Sequence, residues 1–209
     1  MVRVVFSGES RSFPDGVVAL EGSGVVLAGS GAAAGLAGLP GGTDAEFVAV
    51  ELGEECLGQH IGLDPDTRFL NVVGFARFRL GDDPPGPLVE LVAMPWTQPA
   101  AIAAARAAFE QGGFKVASCA DTPGRIVNRL IRPYLNAVLR RLDEGLASAE
   151  DMDTTLRLGL GYPEGPNALL ARTGLHHHFD VSQALYEALG DADFAPARRA
   201  RVAKARTRP

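Results

Sequence analysis

Along the second half of the chain, Val127, Leu130, Ile131, Tyr134, Leu135, Val138, Leu139 and Leu142 recur at three- and four-residue steps. That is the period of one buried helix face. The spacing predicts a long helix with Thr122 as its N-cap and Pro123 at the first helical position, where a missing N–H costs nothing. Pro133 lies inside the pattern and deletes one backbone hydrogen bond, so a kink is expected near Arg129. A second helix is expected to open at Ser148, with Asp151 three residues on as a capping-box partner, and to stop at Gly159. Pro166 opens a third.

The first half carries shorter apolar runs. Residues 2–6, 17–20 and 25–28 read as strands parted by turn residues. Only ten residues, SGESRSFPDG, separate the first two, fewer than a parallel crossover requires, so antiparallel pairing is expected there. Residues 44–51, 72–75 and 88–92 read as further strands, the last two joined by the turn GDDPPGP. Thr97 and Pro99 open a helix that turns Ile102, Ala105 and Phe109 inward and closes at Gly112 and Gly113. Residues 114–119 return as a strand, completing a strand–helix–strand crossover. The fold class is α/β followed by all-α.

Composition narrows the picture. With 46% hydrophobic residues in 209, the chain can bury a proper core. No run approaches the ~20 apolar residues of a membrane span, and the opening MVRVVFSGES lacks the apolar region of a signal peptide, so a cytoplasmic protein with no membrane partner is expected. Cys56 and Cys119 are too few for a disulfide framework and lack zinc spacing; they read as small core hydrophobes.

The strings PGRIVNRL, RPYLN, LDEG, SAEDMDTTLRLGLGYPEGP and TGL, in that order, resemble the start of the C-terminal helical domain of the 3-hydroxyacyl-CoA dehydrogenases. These are NAD-dependent enzymes of fatty acid β-oxidation, and the likeness runs from about Leu88 to about Phe194. The resemblance implies an abridged Rossmann-like sheet over residues 1–120 and a helical dimerisation domain over 121–209. It also implies a homodimer through that domain, an acyl-CoA ligand and NAD as cofactor. The last twelve residues hold six positive charges and no negative ones, within a chain of net charge −5. Such a tail can bind phosphates, of CoA or of nucleic acid; the reading taken is a solvated, partly disordered end, with no nucleic acid partner.

Oxidation of a 3-hydroxyacyl thioester needs a base for the hydroxyl proton as hydride leaves the same carbon. In the family a histidine is that base, a glutamate orients it, and asparagines hold the substrate oxygen. The histidine lies in a GLHFFNP-like string ahead of an LVEVV-like strand. This chain has GFARFRL, then GDDPPGP, then LVELV, so Ala76 falls where histidine belongs. By the same resemblance Glu90 matches the orienting glutamate and Asn128 a substrate-pocket asparagine, the two catalytic remnants. As plain structural readings, Glu90 pairs with an arginine and Asn128 bonds to backbone. Arg125 replaces the family's usual aromatic residue and can pair with Glu90.

The family's first strand runs into G-x-G-x-x-G, whose glycines let a pyrophosphate approach the backbone. Here SGESRSF offers only Gly8, and Glu9 repels a phosphate. A second candidate is Gly29 and Gly31 in GSGAAA, which fits G-x-G-x-x-A with Asp44 and Glu46 downstream. Gly35 and Gly38 weaken the helix that must follow and Pro40 ends it, so a Gly/Ala-rich surface loop is expected. The cofactor is left open.

His60 has no matching family position and would need a rearrangement to reach Glu90. The run His176, His177 and His178 reads as a solvated helix entrance and not a metal site, because adjacent side chains on a helix point about 100° apart. The expectation is a degenerate family member, lacking NAD binding and the catalytic histidine, that acts as an acyl-CoA-related binding or accessory dimer in fatty acid metabolism. The alternative is an active NAD(P)-dependent 3-hydroxyacyl-CoA dehydrogenase or 3-oxoacyl reductase using residues 29–34 and His60.

Overall fold

The computed structural model describes residues 1–39 and 44–207; the expected helix stop at Pro40 and the tail charge Arg208 lie outside them. The chain divides into two compact units, Met1–Arg79 with Pro84–Ile126, and Leu80–Asp83 with Val127–Pro209.

The first unit is built on six strands: β1 (Arg3–Phe6), β2 (Gly24–Ala28), β3 (Phe47–Glu51), β4 (Val72–Arg77), β5 (Leu88–Ala93) and β6 (Lys115–Ala120). They lie side by side in chain order. β1 to β4 are mutually parallel, β5 runs antiparallel to β4, and β6 is parallel to β5. β2 and β3 are buried at every position, because both faces of the sheet are covered. Alternation sends Val26, Ala28, Phe47 and Ala49 to the face packed by α3 (Pro99–Gln111) through Ala101, Ala105 and Phe109. It sends Val25, Leu27, Val48 and Val50 to the other, covered by Ala32 and Leu36 of α1 (Ala32–Ala37) and Ile61 of α2 (Gly58–Ile61). The expected crossover is present as β5–α3–β6.

Two expectations at the amino end are overturned. Residues 17–20 form no strand; Val17 is exposed, while Leu20 and Phe13 plug the α3 face of the sheet. The link from β1 to β2 is therefore residues 7–23, long enough to cross over without a helix, and the two strands pair in parallel with Arg3 opposite Val25. Residues 29–34 are not a surface loop either. They join β2 to α1, with Ala32 and Leu36 buried.

The helical unit contains α4 (Val127–Asp143), α5 (Ala149–Leu160), α6 (Pro166–Thr173), α7 (Leu175–Leu189) and α8 (Arg198–Arg206). α4 runs through Pro133 but begins at Val127, not Pro123. Gly124 and Arg125 hold left-handed backbone, φ 73° and 54°, which interrupts a right-handed helix. Ser148 caps α5 as expected: its Oγ accepts from the Asp151 N–H at 3.0 Å and donates to Asp151 Oδ2 at 2.7 Å. α5 runs on to Leu160 and ends at Gly161 in the left-handed region. The tail is a helix, not a loose end. Ala200 is buried with Leu135, Leu139 and Leu170, Arg199 pairs with Asp143 and Lys204 with Asp180, each at 2.7 Å.

The buried face of α4 also departs from the apolar pattern. Leu130 is 72% exposed, whereas Asn128, Arg132, Leu135, Asn136 and Leu139 are buried. The polar members form a ladder with α7. Arg132 Nε donates to Asn128 Oδ1 at 2.9 Å and its Nη1 meets His178 Nδ1 at 3.1 Å. An arginine cannot accept, so Nδ1 is the bare nitrogen and Nε2–H donates to Asn136 Oδ1 at 2.9 Å. Asn136 Nδ2 donates to the carbonyls of Asp193 and Phe194, both at 3.2 Å. His178 is thus not part of a solvated entrance; it is 2% exposed. His177 does face outward, 3.3 Å from Asp82.

Burial, and then the positive charge of Arg132, push the His178 pKa down to about 3. Between its ordinary value of 6.5 and about 3, the unfolded chain takes up a proton that the folded ring refuses, so stability is present above pH 6.5 and is lost as pH falls towards 3. His178→Gln keeps an acceptor for Arg132 and a donor for Asn136 without titrating. Urea unfolding at pH 6.5 and pH 5 should show the wild type losing about 2 kcal/mol more than this variant.

Candidate functional site

In open α/β sheets ligands bind outside the carboxyl ends of the strands, where neighbouring connections depart to opposite faces. The connections after β1 and β2 do this, the first over the α3 face and the second into α1 on the other. Here, however, the two loops close on each other. The Gly31 N–H donates to the Ser7 carbonyl at 2.8 Å and the Ser30 N–H to the Glu9 carbonyl at 3.0 Å. A Cβ on Gly29, at φ 97°, would collide with the carbonyl oxygens of Ser7 and Gly8. These glycines admit the neighbouring loop.

The remaining donors converge on Glu51, the last residue of β3. Its Oε2 accepts from the Gly29 N–H at 2.6 Å and from Ser10 Oγ at 2.7 Å, and its Oε1 from the Ser12 N–H at 2.7 Å. A nearly buried carboxylate therefore takes up the donors of both loops at this end of the sheet. Beside it lies a cavity of about 280 Å³, edged by Glu9, Arg11, Ser30, Glu51, Glu55 and His60. Burial raises the Glu55 pKa, but the Gly53 N–H, its own N–H and His60 outweigh this and hold it below the usual carboxylate range. The edge of this crevice carries three carboxylates, Glu9, Glu51 and Glu55, together with Arg11 and His60.

Ala76 and Glu90 are directly opposed across β4 and β5, which puts their side chains on one face of the sheet. The Glu90 carboxylate is 1% exposed. Its Oε1 accepts from the Ile126 N–H at 2.8 Å, and its Oε2 lies 3.5 Å from Nε of Arg125. Arg125 is itself 4% exposed, and its Nη1 has no hydrogen-bond partner among the described residues. The pairing of Glu90 with an arginine is therefore observed, and the left-handed backbone of Arg125 accompanies it. Burial, then the charge of Glu90, push the neighbouring Cys119 thiol up to about 11, which favours the thiol over the thiolate. Cys56 and Cys119 are both free.

Asn128 lies in the helical unit, where its Oδ1 accepts from Arg132 Nε at 2.9 Å. His60 does not meet Glu90; its Nε2 is 3.3 Å from Glu55 Oε1. The described residues contain no group of three or more His, Cys, Asp or Glu that could hold a metal ion, and no helix among them is long and apolar enough to cross a membrane.

A mostly parallel sheet of Rossmann type followed by an all-helical unit is a fold this chain shares with solved 3-hydroxyacyl-CoA dehydrogenases. The (S)-3-hydroxybutyryl-CoA dehydrogenase of Ralstonia eutropha matches with a TM-score of 0.71 at 26% identity, covering 86% of this chain and 64% of that one. Residues 124–207 match the model of the 3-hydroxyacyl-CoA dehydrogenase C-terminal domain. The mitochondrial hydroxyacyl-coenzyme A dehydrogenase of Sus scrofa is 46% identical over 88 residues, 42% of this chain and 28% of that protein. The 3-hydroxybutyryl-CoA dehydrogenase of Bradyrhizobium diazoefficiens is 34% identical over 109 residues, 52% and 37%. The chain thus spans well under half the length of these two relatives. Its residues 124–207 are thus of the 3-hydroxyacyl-CoA dehydrogenase C-terminal type, and the chain as a whole is similar to proteins of that family.

Breaking a buried charge pair from one side leaves the other charge uncompensated. Arg125→Met or Glu90→Gln alone is expected to cost about 3–5 kcal/mol in urea unfolding. The double variant should cost less than the sum of the two, a coupling that a double-mutant cycle reads directly.

Proposed function

We propose that this 3-hydroxyacyl-CoA dehydrogenase-like protein neither binds NAD nor oxidises, and acts as an acyl-CoA-related binding or accessory protein in fatty acid metabolism. The observation that carries the reading is the Glu90 carboxylate, turned to Arg125 where the family's resemblance asks for a histidine. A guanidinium has donors only and cannot take a proton from a hydroxyl. Loss of a general base alone costs about 10²–10⁴ in rate. The loops closed over Glu51 support the same reading for the cofactor.

The protein is proposed to be cytoplasmic and to pair with a second copy through its helical unit. α5 buries none of its residues, and Leu130, Leu146, Leu158 and Leu160 are exposed, an apolar area that a symmetric partner would cover. Light scattering should find a particle of twice the chain mass, reduced to one by Leu158→Asp.

Calorimetric titration with NADH and, separately, with acetoacetyl-CoA tests the central reading. No saturable heat with NADH and saturable binding of the thioester are expected; NADH binding together with turnover of acetoacetyl-CoA would overturn it. A second reading, an active NAD(P)-dependent dehydrogenase or reductase, draws on His60, which edges the same cavity as Ser30 and Glu51. It requires His60→Ala to abolish nicotinamide-linked turnover in a protein that still folds.

A further inference from the structure

The basic stretch that closes the sequence is folded as α8, and its charges are not spread evenly. Arg198, Arg199, Val202, Ala203 and Arg206 fall on one side of the helix at three- and four-residue steps. With Leu175 and Asp143 they enclose a groove of about 480 Å³ inside the helical unit. Asp143 holds Arg199 at 2.7 Å. Arg198 and Arg206 have no ion-pair partner among the described residues, although the chain as a whole carries a net charge of −5. The groove therefore has an apolar floor of Leu175, Val202 and Ala203, with a free guanidinium towards each end. Eight helical steps separate the two, about 12 Å at ~1.5 Å per residue.

Guanidinium groups bind phosphate in a bidentate fork and stack on flat rings. Two of them set apart along an apolar floor suit a ligand with phosphates at separated positions on an aromatic body. A single inorganic anion would leave the floor unused. We infer that this groove is a binding site for the phosphorylated nucleotide end of coenzyme A, whose 3′-phosphate and diphosphate lie on either side of an adenosine. The choice of coenzyme A rests on the acyl-CoA reading above; the site itself rests on α8 and Leu175. Arg198 and Arg206 are the recognition residues, and Val202 supplies the surface against which the ring lies.

Isothermal titration of the full-length protein with CoA, 3′-dephospho-CoA and inorganic pyrophosphate tests this. The Arg198→Gln/Arg206→Gln double variant leaves the buried core untouched and should weaken CoA binding by tenfold or more. Removing the 3′-phosphate from the ligand should weaken binding to the wild type in the same direction. Pyrophosphate should bind far more weakly than CoA, and Val202→Glu should lower CoA affinity while the fold melts as before. Undiminished CoA binding by the double variant would overturn the assignment to α8 and leave the acyl-CoA reading standing. Equal affinity for CoA and its dephosphorylated form, or for pyrophosphate, would also overturn it. So would binding of single-stranded oligonucleotide with no binding of CoA. If the wild type binds neither CoA nor acetoacetyl-CoA, both readings fall together.

Discussion

One carboxylate ties together the ends of three neighbouring strands. Glu51 terminates β3, and its two oxygens gather the donors of the loops that leave β1 and β2. A buried carboxylate is stable only when donors surround it, and here each donor comes from a segment that would otherwise end in unpaired polar groups. The crossover of residues 7–23, which has no helix to satisfy its backbone, is anchored at Ser10 and Ser12 by this residue and at Phe13 by the sheet. The loops can approach so closely because Gly8, Gly29 and Gly31 carry no side chain where they meet. These three glycines mark the seam along which the two loops are joined.

The two units use buried charge in different ways. In the sheet unit, Glu90 and Arg125 are a pair of opposite charges, and Glu90 also accepts from the Ile126 N–H. In the helical unit, Arg132 meets two neutral acceptors, Asn128 Oδ1 and the bare nitrogen of His178. The second arrangement depends on a histidine that stays uncharged, and burial beside a guanidinium keeps it so. Such ladders fix which face of a helix turns inward more strictly than apolar packing does, because one residue of rotation would strand every polar group.

The sequence reveals the parts of the fold whose cause is local. Apolar runs mark β2, β3, β4 and β5; the Ser148 and Asp151 spacing marks the start of α5; the residues between Thr97 and Cys119 announce the crossover. Where the partner is distant, the pattern misleads. Residues 17–20 read as a strand from their composition, but Leu20 is a plug for a sheet face formed by residues far along the chain. The helical period places Leu130 inside and says nothing for Asn128, Arg132 and Asn136, because the ladder that buries them is completed by His178, more than forty residues on. At the candidate site, the pairing of Glu90 with Arg125 was foreseeable from charge alone. The role of Glu51 was signalled only by a carboxylate closing an apolar strand, with two serines upstream to meet it.

Four residues give the helical unit a debt to the first half of the chain. Leu80–Asp83 sits apart in sequence from the rest of that unit but belongs to it: Gly81 lies against the Thr173 carbonyl, Asp83 pairs with Arg172, and Asp82 with His177. A helical half severed at Val127 would lack a piece of its own surface, and a proteolytic fragment of that kind could be made whole by a short peptide. The chain's modularity is therefore interleaved: the order of assembly cannot simply follow the order of synthesis, since the unit begun at residue 80 stays unfinished until residues 172 to 177 arrive.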